Sequence, residues 1–149
     1  MRVLRWLGLL SAMFVSGGYV AVSDAASASS IPEKSRMWMT VGEHRFAITL
    51  ADNAAAGAFA RLLPLTIEMS DLNRNEKHAS LPEAMPANAS KPGTIHSGDL
   101  MLYGADTLVV FYSTFDSAYA YTRLGRVDDI ADLVQALGRG DVRVMFSKD

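Results

Sequence analysis

The chain has 149 residues, of which half are apolar, and this suits one domain with a single packed core. Its 14 basic and 16 acidic residues give a net charge of −2, and the lack of clustered Lys and Arg argues against a nucleic-acid surface. The chain has no cysteine, which excludes disulfides and a lipid-modified N-terminal cysteine.

The N-terminal segment has the order of a secretory signal peptide. Arg2 and Arg5 precede an apolar run over 6–15, and small residues follow this run. An uncleaved membrane anchor is the alternative, but a spanning helix needs about 20 apolar residues. We therefore predict a cleaved leader of bacterial type, and a mature protein that is periplasmic or secreted and has no membrane contact.

The position of the small residues sets the expected domain boundaries. Cleavage is predicted after Ala25 or Ala28, so that 1–25 form the signal peptide. The small polar residues of 26–36 then form a linker. The folded domain is expected over 37–149.

The domain opens with a predicted β-hairpin. Apolar and polar residues alternate over 37–41 and again over 46–50, on either side of the Gly42-Glu43 pair. A period of two on both sides of a Gly-X pair is typical of two antiparallel strands joined by a tight turn.

A helix and a third strand are predicted next. Asp52 can cap a helix over 53–63, whose apolar stripe stops at Pro64. Leu, Ile and Met then alternate with polar residues over 65–70, which is the pattern of a half-buried strand.

The stretch from Asp71 to His96 shows no sustained periodicity. Prolines, asparagines and serines interrupt it, although a short strand near 78–81 is compatible with the sequence. A segment of about 25 residues without regular structure is unusual inside a compact domain, and such segments are often binding loops. We expect this 71–96 loop to border any binding site.

Regular structure is predicted again from Gly98. Residues 98–103 alternate as a strand, and 104–106 form a turn. Residues 107–112 are apolar at almost every position, so the next strand is predicted to be buried on both of its faces.

The C-terminal quarter is predicted to contain a short strand, a helix and a final strand. The short strand runs through 119–123, Asp128 caps the helix, Gly138 ends it in a left-handed conformation, and the last strand covers 142–146. One apolar face of this helix is predicted to consist of Ile130, Leu133, Val134 and Leu137. The helices and short-linked strands suit a closed β-barrel with a helix at each end.

Three segments resemble the bacterial cyclophilin-like family, which has diverged from the true peptidyl-prolyl isomerases. They read DNAAAGAFARLLPLTIEMSDLNRNEKH, GDLMLYG, and YTRLGR with GDVRVMF behind its helix. The resemblance covers about 38–146. It implies a mainly β fold, namely a small closed barrel of seven to eight mostly antiparallel strands with two capping helices.

The resemblance implies the fold more firmly than an activity. Cyclophilins are best known for peptidyl-prolyl isomerisation, in which an arginine hydrogen-bonds the prolyl nitrogen. Their Phe-His-Arg and Phe-x-x-Gln-Gly motifs are absent here, since 44–46 read His-Arg-Phe and the only glutamine is Gln135. We expect an exported, non-catalytic module that binds a peptide or a small molecule beside the 71–96 loop. The alternatives are a divergent isomerase in extracytoplasmic protein folding and a structural partner of another exported protein.

The first group of candidate site residues is aromatic and lies in the C-terminal half. It consists of Tyr103, Tyr112, Tyr119 and Tyr121, together with Arg123. Aromatic side chains with polar tips commonly line ligand grooves. They also serve as core residues whose hydroxyls reach the surface or a carbonyl.

The second group lies at the start of the 71–96 loop. It consists of Asn73, Asn75, Glu76, Lys77 and His78, which are polar and fall within the family-like part of the sequence. The simpler interpretation is that the asparagines form a turn and that the two charges make a surface pair of little energetic value.

The sequence predicts no metal site and no cofactor. His44, His78 and His96 are scattered, and although Asp71, Glu76 and His78 could converge, no closely spaced ligand pair supports a metal. A nucleophile elbow and a phosphate-binding glycine loop are also missing from the sequence. The identity of the ligand and the oligomeric state remain open.

Overall fold

The computed structural model describes residues 35–149, so the predicted signal peptide and most of the predicted linker lie outside the described residues. In the described part, neither helix is long and apolar enough to cross a membrane. In chain order, the elements are β1 Arg36–Val41, β2 His44–Leu50, α1 Ala54–Arg61, β3 Leu65–Leu72, β4 Glu76–Ser80, β5 Gly93–Ile95, β6 Asp99–Tyr103, β7 Thr107–Phe111, β8 Phe115–Ser117, β9 Thr122–Val127, α2 Leu133–Leu137 and β10 Val142–Ser147.

Eight of the strands form a closed antiparallel barrel. Their order around it is β1, β10, β3, β4, β7, β6, β9 and β2, which pairs with β1 again. Closure leaves no unpaired edge, so every barrel strand has hydrogen-bonded neighbours on both sides. The remaining strands, β5 and β8, form a separate two-stranded sheet. The prediction of a mainly β closed barrel is confirmed.

The two helices cover opposite ends of the barrel. Helix α1 leads into the start of β3 at Leu65, which pairs with Phe146 at the end of β10. Helix α2 leads into the start of β10 at Val142, which pairs with Met69 near the end of β3. Because β3 and β10 are antiparallel, these two entry points lie at opposite ends. Phe59 of α1 packs edge-on against Phe146 at 5.5 Å.

The barrel has an apolar interior and a second, smaller apolar cluster on its outer surface. Strand β7 contributes to both, because Leu108 and Val110 face the interior whereas Val109 and Phe111 face outward. The outer cluster consists of Ile95, Met101, Val109, Phe111 and Tyr121, with Phe115 against it. This confirms that β7 is buried on both faces.

Helix α1 is shorter than predicted and has a different cap. It begins after Asn53, whose backbone is extended and whose side chain accepts a hydrogen bond from the N–H of Ala56 at 2.8 Å. The predicted cap, Asp52, lies one residue too early and is exposed. The predicted end at 63 is also wrong, because the last helical residue is Arg61.

The region before α2 also differs from the prediction. The helix has five residues and its N-cap position is Asp132, with a positive φ of 64°. Asp128 is not the cap, because its carboxylate accepts a hydrogen bond from the Thr49 hydroxyl and pairs with Arg36 at 3.6 Å. Gly138 does end the helix and has a positive φ of 60°, but its ψ of −162° lies outside the left-handed helical region that was predicted.

The short α2 buries only half of its predicted apolar face. Leu133 and Leu137 are buried, whereas Ile130 is 50% exposed and Val134 is 59% exposed. Ile130 precedes the helix, so its side chain does not follow the helical spacing that placed it with the others.

The 71–96 loop is more ordered than predicted. Strand β3 continues to Leu72, and β4 over Glu76–Ser80 is a full barrel strand, so 81–92 is the longest part of the loop without a named strand. The pattern of β4 is hidden in the sequence because Lys77, a charged residue, occupies a buried position. The predicted strand over 119–123 is displaced, since β9 begins at Thr122.

Candidate functional site

A groove of about 460 Å³ lies on the outer face of the barrel, beside the small β5–β8 sheet. Strands β4, β6 and β7 provide its base, while the β3–β4 turn and the segment after β8 provide its sides. Its lining consists of Leu72, Asn73, Asn75, Glu76, His78, Tyr103, Thr107, Val109, Phe115, Asp116, Ser117, Ala118, Tyr119 and Tyr121.

The base of the groove follows from the alternation of strand residues. In β4, Lys77 and Ala79 are buried, so Glu76 and His78 are on the opposite, outer face. Strand β7 is paired so that Val109 is opposite His78. The pairing of Glu76 with Phe111 and of His78 with Val109 places one carboxylate and one imidazole beside the apolar outer face of β7.

The β3–β4 turn holds the two asparagines at one side of the groove. Asn73 and Arg74 both have positive φ, 54° and 56°, and the N–H of Asn75 donates to the carbonyl of Leu72 at 3.2 Å. Two central residues with positive φ are typical of a type I′ turn, whose twist matches that of the flanking strands. The carboxylate of Asp71 accepts from the Arg74 N–H at 3.2 Å and so stabilises the turn.

The β5–β8 sheet positions the opposite side. Phe115 is paired with Ile95, and its ring lies 5.7 Å from that of Phe111 on the barrel surface. The neighbouring pair is Thr94 and Asp116, and the Thr94 hydroxyl donates a hydrogen bond to the Asp116 carboxylate at 2.8 Å. The outer apolar cluster therefore anchors a sheet that would otherwise be too small to be stable.

Three tyrosines form an aromatic corner of the groove. The ring of Tyr103 lies 6.3 Å from that of Tyr119, nearly perpendicular at 87°, and 5.7 Å from that of Tyr121. Tyr103 and Tyr119 are 48% and 65% exposed, whereas Tyr121 is buried against Phe111. Burial raises the pKa of Tyr121, and the negative charge of Glu76 adds to this effect.

Glu76 is an ionisable group of the groove whose environment disfavours its charged form. It is half-buried, and burial raises the pKa of its carboxyl, with a further contribution from the charge of Asp71. Among the described residues, no cation or hydrogen-bond donor offsets this effect on Glu76. The groove therefore has aromatic and apolar surface next to an uncompensated carboxylate.

A comparison with protein families adds to this geometry. The model described as the cyclophilin-like family matches residues 39–147, which include all eight barrel strands at least in part. The chain belongs to the cyclophilin-like family. A search of curated proteins finds no match for it. Membership confirms the resemblance seen in the sequence and accounts for the barrel.

The cyclophilin-like barrel brings most of the predicted site residues together. Asn73, Asn75, Glu76, Tyr103, Tyr119 and Tyr121 all line the groove. They come from separate parts of the chain and meet because β4, β7 and β6 are neighbours in the barrel.

Lys77 and Tyr112 do not line the groove. Lys77 is fully buried and donates to the carbonyls of Gly138 and Gly140 at 2.9 and 2.7 Å. The Tyr112 hydroxyl donates to the carboxylate of Asp71, and burial together with this bond raises the pKa of Tyr112 to about 12. Both side chains therefore form hydrogen bonds within the domain and do not contribute to the groove.

Arg123 also lies elsewhere, because β9 contains a bulge. The pairing with β6 shifts after Leu100, so that Arg123 pairs with Met101 while Arg126 pairs with Asp99. This irregularity places both arginines beside the buried Asp99, with nitrogens 3.4 and 3.0 Å from its carboxylate. Tyr121 and Arg123 therefore lie beside different cavities.

The second cavity of the cyclophilin-like barrel, of about 550 Å³, is lined by residues of β2, β9 and their flanks, including Arg123 and Arg126. Both arginines are within ion-pair distance of the carboxylate of Asp99. This cavity is larger than the groove, but its lining contains no aromatic residue. The groove is therefore the stronger candidate for a ligand.

Sequence reasoning missed the residues that the barrel and the small sheet bring to the groove. They are Leu72, Thr107, Val109, Phe115, Asp116, Ser117 and Ala118, whereas His78, a member of the second predicted group, also lines the groove. The alternation of β7 could have identified Thr107 and Val109 as outward-facing, but the 115–118 segment has no periodic signal. Residues 35–149 contain no group of three or more His, Asp or Glu side chains that could hold a metal ion.

Proposed function

We propose that this cyclophilin-like domain is an exported, non-catalytic module that binds a peptide or a small molecule in the groove. The observation that carries the proposal is the groove itself. Its volume of about 460 Å³ is within the range of ligand sites, about 300–1,000 Å³.

The lining supports the proposal by its chemical variety. Exposed rings of Tyr103 and Tyr119 offer apolar contact with polar tips, and the partly exposed Phe115 adds apolar surface. The side chains of Asn73, Glu76 and Asp116 can form hydrogen bonds that orient a ligand. An apolar cavity with a few convergent polar groups is the usual composition of a binding site.

The runner-up function, a divergent prolyl isomerase, needs an arginine that reaches a prolyl nitrogen in the groove. Among the described residues that line the groove, none is an arginine. Arg123 borders the other cavity and is paired with Asp99 at 3.4 Å. This geometry favours binding without isomerisation.

Ligand detection tests the binding proposal directly. Native mass spectrometry of the protein purified from its own compartment should reveal a bound molecule, or protein-observed NMR with a library of small organic fragments should shift groove amides. We expect shifts of the Val109 and Tyr121 amides that are lost in Thr107→Arg, which places a long side chain at a partly exposed position of the groove lining. The proposal would be contradicted if the fragments shift only the amides that line the cavity beside Arg126.

A separate assay tests the isomerase alternative. We expect no acceleration of cis-trans exchange in a short proline peptide above a denatured-protein control, measured by exchange NMR or a protease-coupled reaction. Robust turnover that Arg123→Ala abolishes would make the isomerase the better proposal.

Export rests on the order of charged, apolar and small residues before Ala28. The N-terminus of the mature protein should begin after Ala25 or Ala28, and the protein should be soluble without detergent. Sequencing that finds Met1 intact on membrane-bound protein would replace export by an anchored topology.

A further inference from the structure

The groove carries acidic groups without a basic partner. Glu76 and Asp116 both line it, whereas none of its described lining residues is a lysine or an arginine. The two neighbouring basic residues are directed elsewhere, since Lys77 is buried at the barrel end and Arg74 does not line the groove. His78 is the remaining lining group that can carry a positive charge.

The carboxylate of Glu76 gains little from its surroundings. It is half-buried, and the charge of Asp71 acts on it unfavourably, so its pKa is raised. A carboxylate in such a place is stabilised by a nearby cation or a charge-assisted N–H bond. Among residues 35–149, no ion pair includes Glu76.

An amide oxygen beside Glu76 also lacks a donor. The Oδ1 atom of Asn75 is shielded from solvent and accepts no hydrogen bond, and it is the one buried side-chain polar atom of the described residues in this state. Asn75 is half-buried and lines the groove, so its side-chain amide is a further polar group at this side of the groove.

The aromatic corner has the geometry that suits a positive charge. The rings of Tyr103 and Tyr119 are nearly perpendicular, at 87°, and both are substantially exposed. A cation within about 6 Å of a ring centroid is attracted by the negative face of the ring, and cages of such rings bind ammonium groups.

We propose that the groove selects organic cations, in which an ammonium or guanidinium group is attached to an apolar body. The charged group would lie between Glu76 and the tyrosine rings, and the apolar body against Phe115. This inference rests on the proposed function that the groove is a binding site. The cation is either a free amine or the side chain of a lysine or arginine in a peptide.

Matched charged and neutral probes test the inference. Phenylguanidine and phenylurea have nearly the same shape but differ in charge, and capped Ala-Arg-Ala and Ala-citrulline-Ala form the equivalent peptide pair. Each is titrated into the protein while amide shifts of Val109 and Tyr121 are followed by NMR. We expect at least one cation to bind about tenfold more tightly than its neutral counterpart, a difference of about 1.4 kcal/mol. The pair that binds identifies the source of the cation.

Two variants show whether the charge of Glu76 is responsible. Glu76→Gln should weaken binding of the cation about fivefold to tenfold, whereas the matched variant Glu43→Gln, at an exposed turn outside the groove, should not change it. If Glu76→Gln does not fold, the salt dependence of the wild-type protein serves instead. Added salt should lower the affinity for the cation and leave the affinity for the neutral probe unchanged.

The outcomes separate this inference from the function on which it rests. Equal affinity for a cation and its neutral counterpart, or groove shifts caused only by neutral fragments, would overturn the cation preference and leave the binding function intact. If cations, neutral probes and fragments all fail to shift groove amides, both proposals are wrong.

Discussion

The ammonium group of Lys77 lies 3.0 Å from the carboxylate of Asp71 at the barrel end covered by α2. It also donates to the carbonyls of Gly138 and Gly140, so three acceptors match its three N–H donors. A buried lysine therefore connects β3 and β4 to the chain that leads from α2 to β10.

Replacing Lys77 should destabilise the barrel strongly. Lys77→Met keeps the length of the side chain but removes the cation beside Asp71 and the donor to the carbonyls of Gly138 and Gly140, so we expect a loss of about 3 kcal/mol in the free energy of unfolding. Urea unfolding followed by circular dichroism measures this loss. The matched variant Lys91→Met, at an exposed site, should be nearly neutral. Equal stability of the two variants would show that the connection contributes nothing.

Asp71 should make stability depend on pH in the acidic range. The hydroxyl of Tyr112 is the main cause that lowers the pKa of Asp71, and the ammonium of Lys77 adds to it. Because the folded-state pKa is below the unfolded value of about 3.9, the contribution is complete above about pH 5 and is lost as the pH falls through the lowered value.

The variant Asp71→Asn should lack this part of the pH dependence. The difference in unfolding free energy between the wild-type protein and the variant should be constant from about pH 5 to 7 and should shrink below pH 4. Tyr112→Phe serves as a control, because it removes the hydroxyl that lowers the pKa of Asp71. NMR titration of the Asp71 carboxyl should therefore give a higher pKa in this variant than in the wild-type protein. A difference that grows on acidification would contradict the assignment.

Two glycine substitutions should have opposite signs. A Cβ at Gly125 would lie 2.5 Å from the carbonyl oxygen of Thr49, so Gly125→Ala should cost about 1–3 kcal/mol. In α1, a Cβ at Gly57 would meet only the end of Arg61, at 3.7 Å, and Gly57→Ala should stabilise by about 0.5–1 kcal/mol. Thermal melts of both variants test this. Stabilisation by Gly125→Ala would disprove the close approach of β9 to β2.

Adjacent residues of α2 provide a test of which face is buried. Leu133 is fully buried and Val134 is 59% exposed. Leu133→Asp should remove several kcal/mol or unfold the domain, because it buries a carboxylate without a partner, while Val134→Asp should change stability by less than about 0.5 kcal/mol. Melting temperatures that fall equally would place both side chains in the core.

Much of the fold could be predicted from local patterns. The hairpin of β1 and β2, the double burial of β7 and the positive φ at Gly138 follow from a period of two, a continuous apolar run and a helix stop. These features depend on residues that are close in sequence, and family resemblance supplied the closure of the barrel. The cap of α1 and the length of α2 were predicted less well, because neighbouring Asp and Asn residues compete for the same cap role.

Tertiary structure alone decided which candidate residues share a site. The sequence determined that Glu76, Lys77 and Arg123 are polar and that tyrosines lie close to Arg123, but it did not determine their directions. The inward position of Lys77 depends on acceptors at Gly138 and Gly140, more than 60 residues away. The pairing of Arg123 with Asp99 depends on a bulge, which local periodicity does not reveal. Side-chain direction in a closed barrel is set by strand register, and register is a relation between distant segments.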